Sequence, residues 1–236
     1  MIDINCFFGQ FNKSESELSK IDDLQEMIKD GIKKIFVTSL KAVSYDAKKG
    51  NEEIIDFSGK YRDISPVMVF PIDLGVVGDV KYFLNNSTML CRLSFREGNM
   101  VDQEDKTLND FLKGYSDIGK GIIVQYSPEK HYLIKYLAKK YEKLSFILTD
   151  INYPQLRMSL GLFQNIKNIY MEISCFQLYR GLEYLIEKIG ADKLIFGTNS
   201  PIYAYKSAIL KLENAAISKE NYKLISEANI TRILGE

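Results

Sequence analysis

Short runs of β-branched and aromatic residues recur along the chain, separated by stretches in which apolar positions return every three or four residues. The runs are Ile2–Phe8, Lys34–Ser39, Ser65–Pro71, Met89–Phe95, Gly121–Tyr126, Leu144–Thr149, Asn168–Ser174 and Lys193–Gly197. They are apolar almost throughout rather than strictly alternating, the pattern of parallel strands covered on both faces. The stretches between them predict helices. Leu18–Asp30 places Leu18, Ile21, Leu24 and Ile28 on one face, with Gly31 where a C-terminal cap belongs. Asp46–Lys60 carries a lysine-rich polar face. Glu129–Lys143 groups Leu133, Ile134, Leu137 and Ala138, and Leu178–Ile189 groups Leu182, Leu185, Ile186 and Ile189 before Gly190. The C-terminal region predicts a helix over Tyr203–Asn214, a cap at Ser218 and a last helix over Glu220–Leu234, broken near Asn229.

Eight strands alternating with helices in 236 residues predict a single α/β domain over 1–236, folded as a (β/α)8 TIM barrel. An open doubly wound sheet is the rival. It is disfavoured because Phe8-Gly9-Gln10-Phe11 offers one glycine where that fold wants a glycine-rich first turn.

Composition narrows the function classes. The chain has 46% apolar and 26% charged residues and a net charge of zero, which excludes collagen, coiled coil and a disordered chain. A neutral chain has no overall electrostatic attraction to nucleic acid or to an acidic membrane. No apolar run is long enough to span a bilayer. The N-terminus has no basic region and carries an early acid, so no secretory signal is expected. Three cysteines, Cys6, Cys91 and Cys175, lie in apolar strand-like runs and read as reduced, buried thiols of a cytoplasmic protein. The chain has one histidine, His131, so a multi-histidine zinc site is arithmetically impossible.

Both ends of the chain carry a resemblance. Met1-Ile-Asp-Ile-Asn-Cys-Phe-Phe-Gly9 resembles the opening Ile-Asp-x-His-x-His-x-Gly of the amidohydrolase-2 family, metal-dependent hydrolases of TIM-barrel fold. Leu194-Ile-Phe-Gly-Thr-Asn-Ser-Pro201 is similar to that family's last strand. Ile217-Ser-Lys-Glu through Glu227-Ala-Asn-Ile-Thr-Arg-Ile-Leu-Gly235 resembles its closing helices. Order and spacing hold from end to end. The resemblance implies a metal held by two residues after strand one and by residues after strands five, six and eight. At those positions this chain has Asn5 and Phe7, Gln125, Asp150 and Asn199. Amides are weak neutral donors and a phenyl ring is none, so no transition metal and no other cofactor is expected.

The same positions are candidates for binding a ligand, because polar groups at the C-terminal strand ends face the mouth of such a barrel. The alternative is polar filling of the barrel top. Arg92 lies inside the fourth apolar run and needs an acid if it points inward, with Asp150 and Glu172 as candidates. Its functional reading is an anion clamp. His131, at the start of the helix after strand five, reads as a surface residue that could also overhang the mouth as a base. Cys6 is expected to face the helices. Phe7, Phe8, Phe11, Tyr126, Tyr153 and Tyr203 are expected to gather near the mouth, as packing or as a stacking pocket.

Three readings of function remain. The first is a barrel with a degenerate metal site, a pseudoenzyme that binds a small molecule or a partner chain at Asn5, Phe7, Arg92, Gln125, Asp150, Glu172 and Asn199. The second is an active hydrolase or decarboxylase-like lyase working without the usual metal, with Asp150, Arg92 and His131 as catalytic candidates. The third is a structural subunit of a homo-oligomer.

Overall fold

The computed structural model describes residues 1–10, 18–72, 80–95 and 101–236. Nine strands form one sheet in the order β2-β1-β3-β4-β5-β6-β7-β8-β9. They are β1 (Ile2–Gln10), β2 (Leu18–Ser19), β3 (Lys34–Ser39), β4 (Ile64–Ile72), β5 (Leu90–Phe95), β6 (Gly121–Gln125), β7 (Ser145–Thr149), β8 (Ile169–Glu172) and β9 (Leu194–Ile195). The short β2 pairs antiparallel with the end of β1, and each of the other neighbours pairs parallel. Beyond β9 the chain returns to β1. Phe196 O accepts from Ile4 N–H at 3.4 Å, Asn5 O from Asn199 N–H at 2.7 Å and Ser200 O from Phe7 N–H at 2.7 Å. The eight parallel strands thereby close into the expected (β/α)8 barrel.

The helices are shorter than the sequence pattern suggests. The first runs Ile21–Lys29, because Leu18 and Ser19 are drawn into the sheet as β2. Gly31, at φ 102°, takes the left-handed turn after that helix that a side chain would strain. The helix after β6 spans His131–Lys140, that after β8 Gly181–Ile189, and the one near the C-terminus Tyr205–Glu213. The final break is a π-turn over Leu224–Ala228, and Asn229 opens the last helix, Asn229–Leu234, rather than ending one. Helices Lys106–Tyr115 and Tyr153–Asn165 also cover the sheet.

Two apolar layers hold the barrel together. The larger lies between sheet and helices and includes Cys6, as expected, together with Cys91 and Tyr126. The smaller fills the lumen, with Ile2, Ile4, Phe36, Val67, Leu90, Ile123, Ile147 and Ile195, and Tyr170 packed against it. Ile230, Ile233 and Leu234 of the last helix join this inner layer at the N-terminal ends of the strands. Asn229 fixes that helix by donating its amide to Ala191 O and Leu194 O, each at 2.8 Å. Among the described residues no helix is long and apolar enough to cross a membrane.

Candidate functional site

The period of two along a strand builds the site from the lumen layer. Two residues beyond Phe36, Leu90, Ile123, Ile147 and Tyr170 stand Thr38, Arg92, Gln125, Thr149 and Glu172. An apolar floor therefore gives way, one step toward the C-terminal mouth, to a polar ring. In β1 the pairing with β3 slips between Asp3 and Cys6. The slip shifts the alternation, so Ile4 lies in the lumen layer, Asn5 bonds across the lumen to Arg92 and Glu172, and Phe7 lies against Arg92.

Asn5, Arg92 and Glu172 form one buried chain. Nη2 of Arg92 donates to Oδ1 of Asn5 at 2.7 Å, and Nδ2 of Asn5 donates to Oε2 of Glu172 at 2.9 Å. Nε of Arg92 donates to the Thr38 hydroxyl at 3.3 Å, and its guanidinium lies 4.8 Å from the centre of the Phe7 ring. Sequence reasoning expects a direct acid partner for Arg92. Among the described residues its hydrogen-bond partners are instead neutral, and Glu172 is reached through the Asn5 amide. Burial pushes the arginine down to about 10, while Asp150 and Glu172 act in the opposite direction.

Glu172 is fully buried and its oxygens are well filled. Ser174 N–H donates to Oε1 at 2.5 Å and the Ser174 hydroxyl to Oε2 at 2.8 Å. Burial still raises its pKa from 4.5 to about 7, against these bonds and the charge of Lys211. Gly197 makes room for it: a Cβ there would stand 2.6 Å from Oε1. Lys211 donates to the carbonyls of Ile173, Ser174 and Phe176 at 2.6, 3.1 and 3.4 Å, which fastens the turn after β8.

Asp150 and Asn199 sit just past the ends of β7 and β9, both with left-handed backbone, at φ 60° and 55°. Asp and Asn tolerate that conformation better than most residues. They meet through a residue that sequence reasoning misses. Cys175 donates its thiol to Oδ1 of Asp150 at 3.1 Å and accepts from Nδ2 of Asn199 at 3.5 Å. It is half-buried, not core, and burial pushes its thiol up to about 12. The signal was its place just past the strand run that ends at Ser174. Asp3 is also missed. It accepts from Thr198 and Asn5 behind the site, and burial raises it from 3.8 to about 6.

Other candidates lie apart. Gln125 is exposed at the end of β6, and no side-chain bond joins it to Arg92 or Asp150. His131 pairs through Nδ1 with the Tyr126 hydroxyl at 3.2 Å, and Tyr126 belongs to the outer layer. No described contact joins His131 to Asn5, Arg92, Asp150 or Glu172. The expected aromatic cluster disperses. Phe8 stacks on Phe57 at 4.1 Å, Tyr153 lies by Tyr184, and Tyr203 lies beside Cys175. Phe11 lies outside the described residues.

The metal implied by the resemblance can be tested on these donors. Asn5 Oδ1, a neutral oxygen, already receives a guanidinium, and the neighbouring position is a phenyl ring. Among the described residues no three of His, Cys, Asp and Glu gather as a metal site. This donor set does not fit a zinc or manganese ion, which needs imidazole, thiolate or several carboxylates.

Comparisons with known proteins agree with the barrel. Residues 123–236 match the family model described as amidohydrolase. No curated protein matches the sequence. A 2,6-dihydroxybenzoate decarboxylase solved with 2,6-dihydroxybenzoate superposes with a TM-score of 0.73 at 13% identity, over 100% of this chain and 99% of that one. A protein of Acinetobacter baumannii, described as a probable 2-pyrone-4,6-dicarboxylic acid hydrolase and solved with citric acid, gives 0.74 at 14% identity, over 100% and 99%. A dihydroxybenzoic acid decarboxylase of Polaromonas, with manganese and 2-nitroresorcinol bound, gives 0.72 at 15% identity, over 99% and 96%.

Proposed function

We propose, from the premise that this chain is an amidohydrolase-family barrel through residues 123–236, that it is an enzyme of the decarboxylase or hydrolase kind acting on a small molecule at the barrel mouth without a resident transition metal. One observation carries the reading: the C-terminal strand ends converge on a buried polar chain, Arg92–Asn5–Glu172, beside the Asp150–Cys175–Asn199 group. A barrel kept only as a scaffold has no need to bury an arginine and a glutamate through a neutral amide, which costs more than an apolar filling. The structural relatives named above act, by their descriptions, on small carboxylated rings, which supports the choice of reaction class.

In this reading Arg92 holds the substrate, and Asp150, the more accessible acid, exchanges protons with it. Phe7 closes one side of the site. His131 is left out of the chemistry by its pairing with Tyr126.

The test is turnover. Protein purified without added metal is incubated with hydroxybenzoates and with small lactones, and carbon dioxide release and ring absorbance are followed with and without chelator. Chelator-resistant turnover, lost in Asp150→Asn, is the expected result. A second reading, a non-catalytic binder, is supported by Asn5 and Glu172, whose side chains are already engaged by Arg92, by each other and by Ser174. Saturable binding with no turnover across the panel would select it.

A further inference from the structure

Three neighbouring strand ends place a carboxylate, a thiol and an amide in a row. Asp150 follows β7, Cys175 lies past β8 and Asn199 lies past β9, and β8 pairs with both of the other two strands. Asp150 and Asn199 have left-handed backbone, which aims their Cα–Cβ bonds but leaves their side-chain torsions unset. The Cys175 sulfur fills the gap between them. It stands 3.1 Å from Oδ1 of Asp150, 3.5 Å from Nδ2 of Asn199 and 3.7 Å from the Ser174 hydroxyl. The direction of the thiol proton follows from these neighbours. The Asn199 amide nitrogen only donates. The Ser174 hydroxyl is farther off and gives its own proton to Glu172 at 2.8 Å. Asp150 is the charged acceptor in contact with the sulfur, and a carboxylate draws a donor more strongly than a neutral oxygen does. Burial pushes the thiol up to about 12, so the proton stays on sulfur at neutral pH. The two oxygens of Asp150 are thereby unequal. Oδ1 takes the thiol, while Oδ2 takes the Thr149 hydroxyl at 3.4 Å, longer than an ordinary O–H···O bond.

We propose that Cys175 is a positioning residue: its thiol holds Oδ1 of Asp150, fixes the plane of the carboxylate at the mouth and leaves Oδ2 as the oxygen that exchanges a proton with a bound molecule. The last torsion of an aspartate side chain is broad, and a firm bond to one oxygen removes that freedom. Asn199 acts one step further back, since its amide holds the sulfur. Serine would offer the same proton on a smaller atom with a shorter bond to carbon, so it would reach Asp150 and Asn199 less well. Proton transfer needs the reacting oxygen within hydrogen-bond reach of its target, so a carboxylate that turns away costs rate more than it costs binding. The proposal rests on the reading of Asp150 given above. Its first test uses no substrate, so the two can fail separately.

The S–H stretch is read by Raman spectroscopy on the full chain at neutral pH. Cys6 and Cys91 serve as internal references, because their thiols reach backbone carbonyls at 3.8 Å. The expected spectrum has a further band from Cys175, displaced to lower frequency by the carboxylate. Cys175→Ala should remove that band, and Asp150→Asn should move it back toward the other two. Coincident bands for all three thiols, or a displaced band that Asp150→Asn leaves in place, would overturn the proposal. If neither variant folds, the spectrum of the unaltered chain still decides. Where a panel substrate turns over, Cys175→Ala is expected to lower kcat by roughly tenfold or more while KM changes by less than about threefold. Cys175→Ser should recover part of that loss. An unchanged kcat, or a loss confined to KM, would also overturn the proposal. With no turnover of any substrate, the reading of Asp150 as a proton carrier falls, while the displaced band keeps the hold of the thiol on Oδ1.

Discussion

Asp3 and Thr198 are joined twice. Thr198 N–H donates to one oxygen of the Asp3 carboxylate at 3.0 Å, and its hydroxyl donates to the other at 2.6 Å. Both residues are fully buried, and the pair ties β1 to the segment after β9, where the barrel closes. Thr198→Val removes the hydroxyl and leaves a buried carboxylate oxygen short of a donor. The expected loss is about 1–3 kcal/mol, read from denaturant melts. A Thr198→Ser variant, which keeps the donor, should lose clearly less.

Arg92 and Glu172 share Asn5, so removing the arginine strands an acid. Arg92→Met should destabilise the ligand-free fold by about 2–4 kcal/mol. Adding Glu172→Gln should recover much of that loss, because the amide of Asn5 can then turn to suit its new neighbour. No recovery in the double variant would mean that the two residues are not coupled through Asn5.

The pH dependence follows from two buried acids. Burial raises Asp3 from 3.8 to about 6 and Glu172 from 4.5 to about 7. Each folded-state acid then holds its proton more tightly than the unfolded chain does. Its contribution to stability is fully present below the unfolded value and is lost as pH rises through the folded one. The melting temperature should therefore fall as pH rises from about 4 to about 7. In Glu172→Gln the upper part of that fall should disappear, leaving the part set by Asp3. A melting temperature that climbs over this window would contradict the assignment.

Gly197 is the next position to test. A methyl group there meets the Glu172 carboxylate at 2.6 Å and its Cγ at 2.9 Å. Gly197→Ala should cost about 1–3 kcal/mol through that overlap. Paired with Glu172→Ala, the same change should cost much less, since the obstructing carboxylate is gone.

The strands were legible in the sequence because a parallel strand covered on both faces leaves a continuous apolar run, and all eight runs fall on barrel strands. Arg92 and Glu172 stood out as charges within such runs. What escaped the pattern was local. The slip in β1 that lets both Ile4 and Asn5 bear on the lumen is a matter of backbone register, which side-chain periodicity does not record. Cys175 read as core because its neighbours are apolar, although it stands just past the strand end where the chain turns at the mouth. The expectation of a direct acid for Arg92 missed Asn5 as go-between, since hydrogen-bond partners from distant strands leave no mark in spacing. Helix ends shifted where other demands won, as at Leu18, which pairs with Gln10 instead of starting a helix.

The stopper at the base of the barrel has a consequence for how the protein is made. Ile230, Ile233 and Leu234 pack with Ile2 and Ile4, so the first strand of the barrel and the helix Asn229–Leu234 share one inner layer. In synthesis the helix Asn229–Leu234 follows β1 only after all the other barrel strands. Until the last helix emerges, the tube has no floor, and water can reach the side chains that will line it. β1 must wait just as long for its second neighbour, the segment Phe196–Ser200. The chain can therefore assemble its outer helices against individual strands, while sealing of the tube is held back until the helix Asn229–Leu234 is in place.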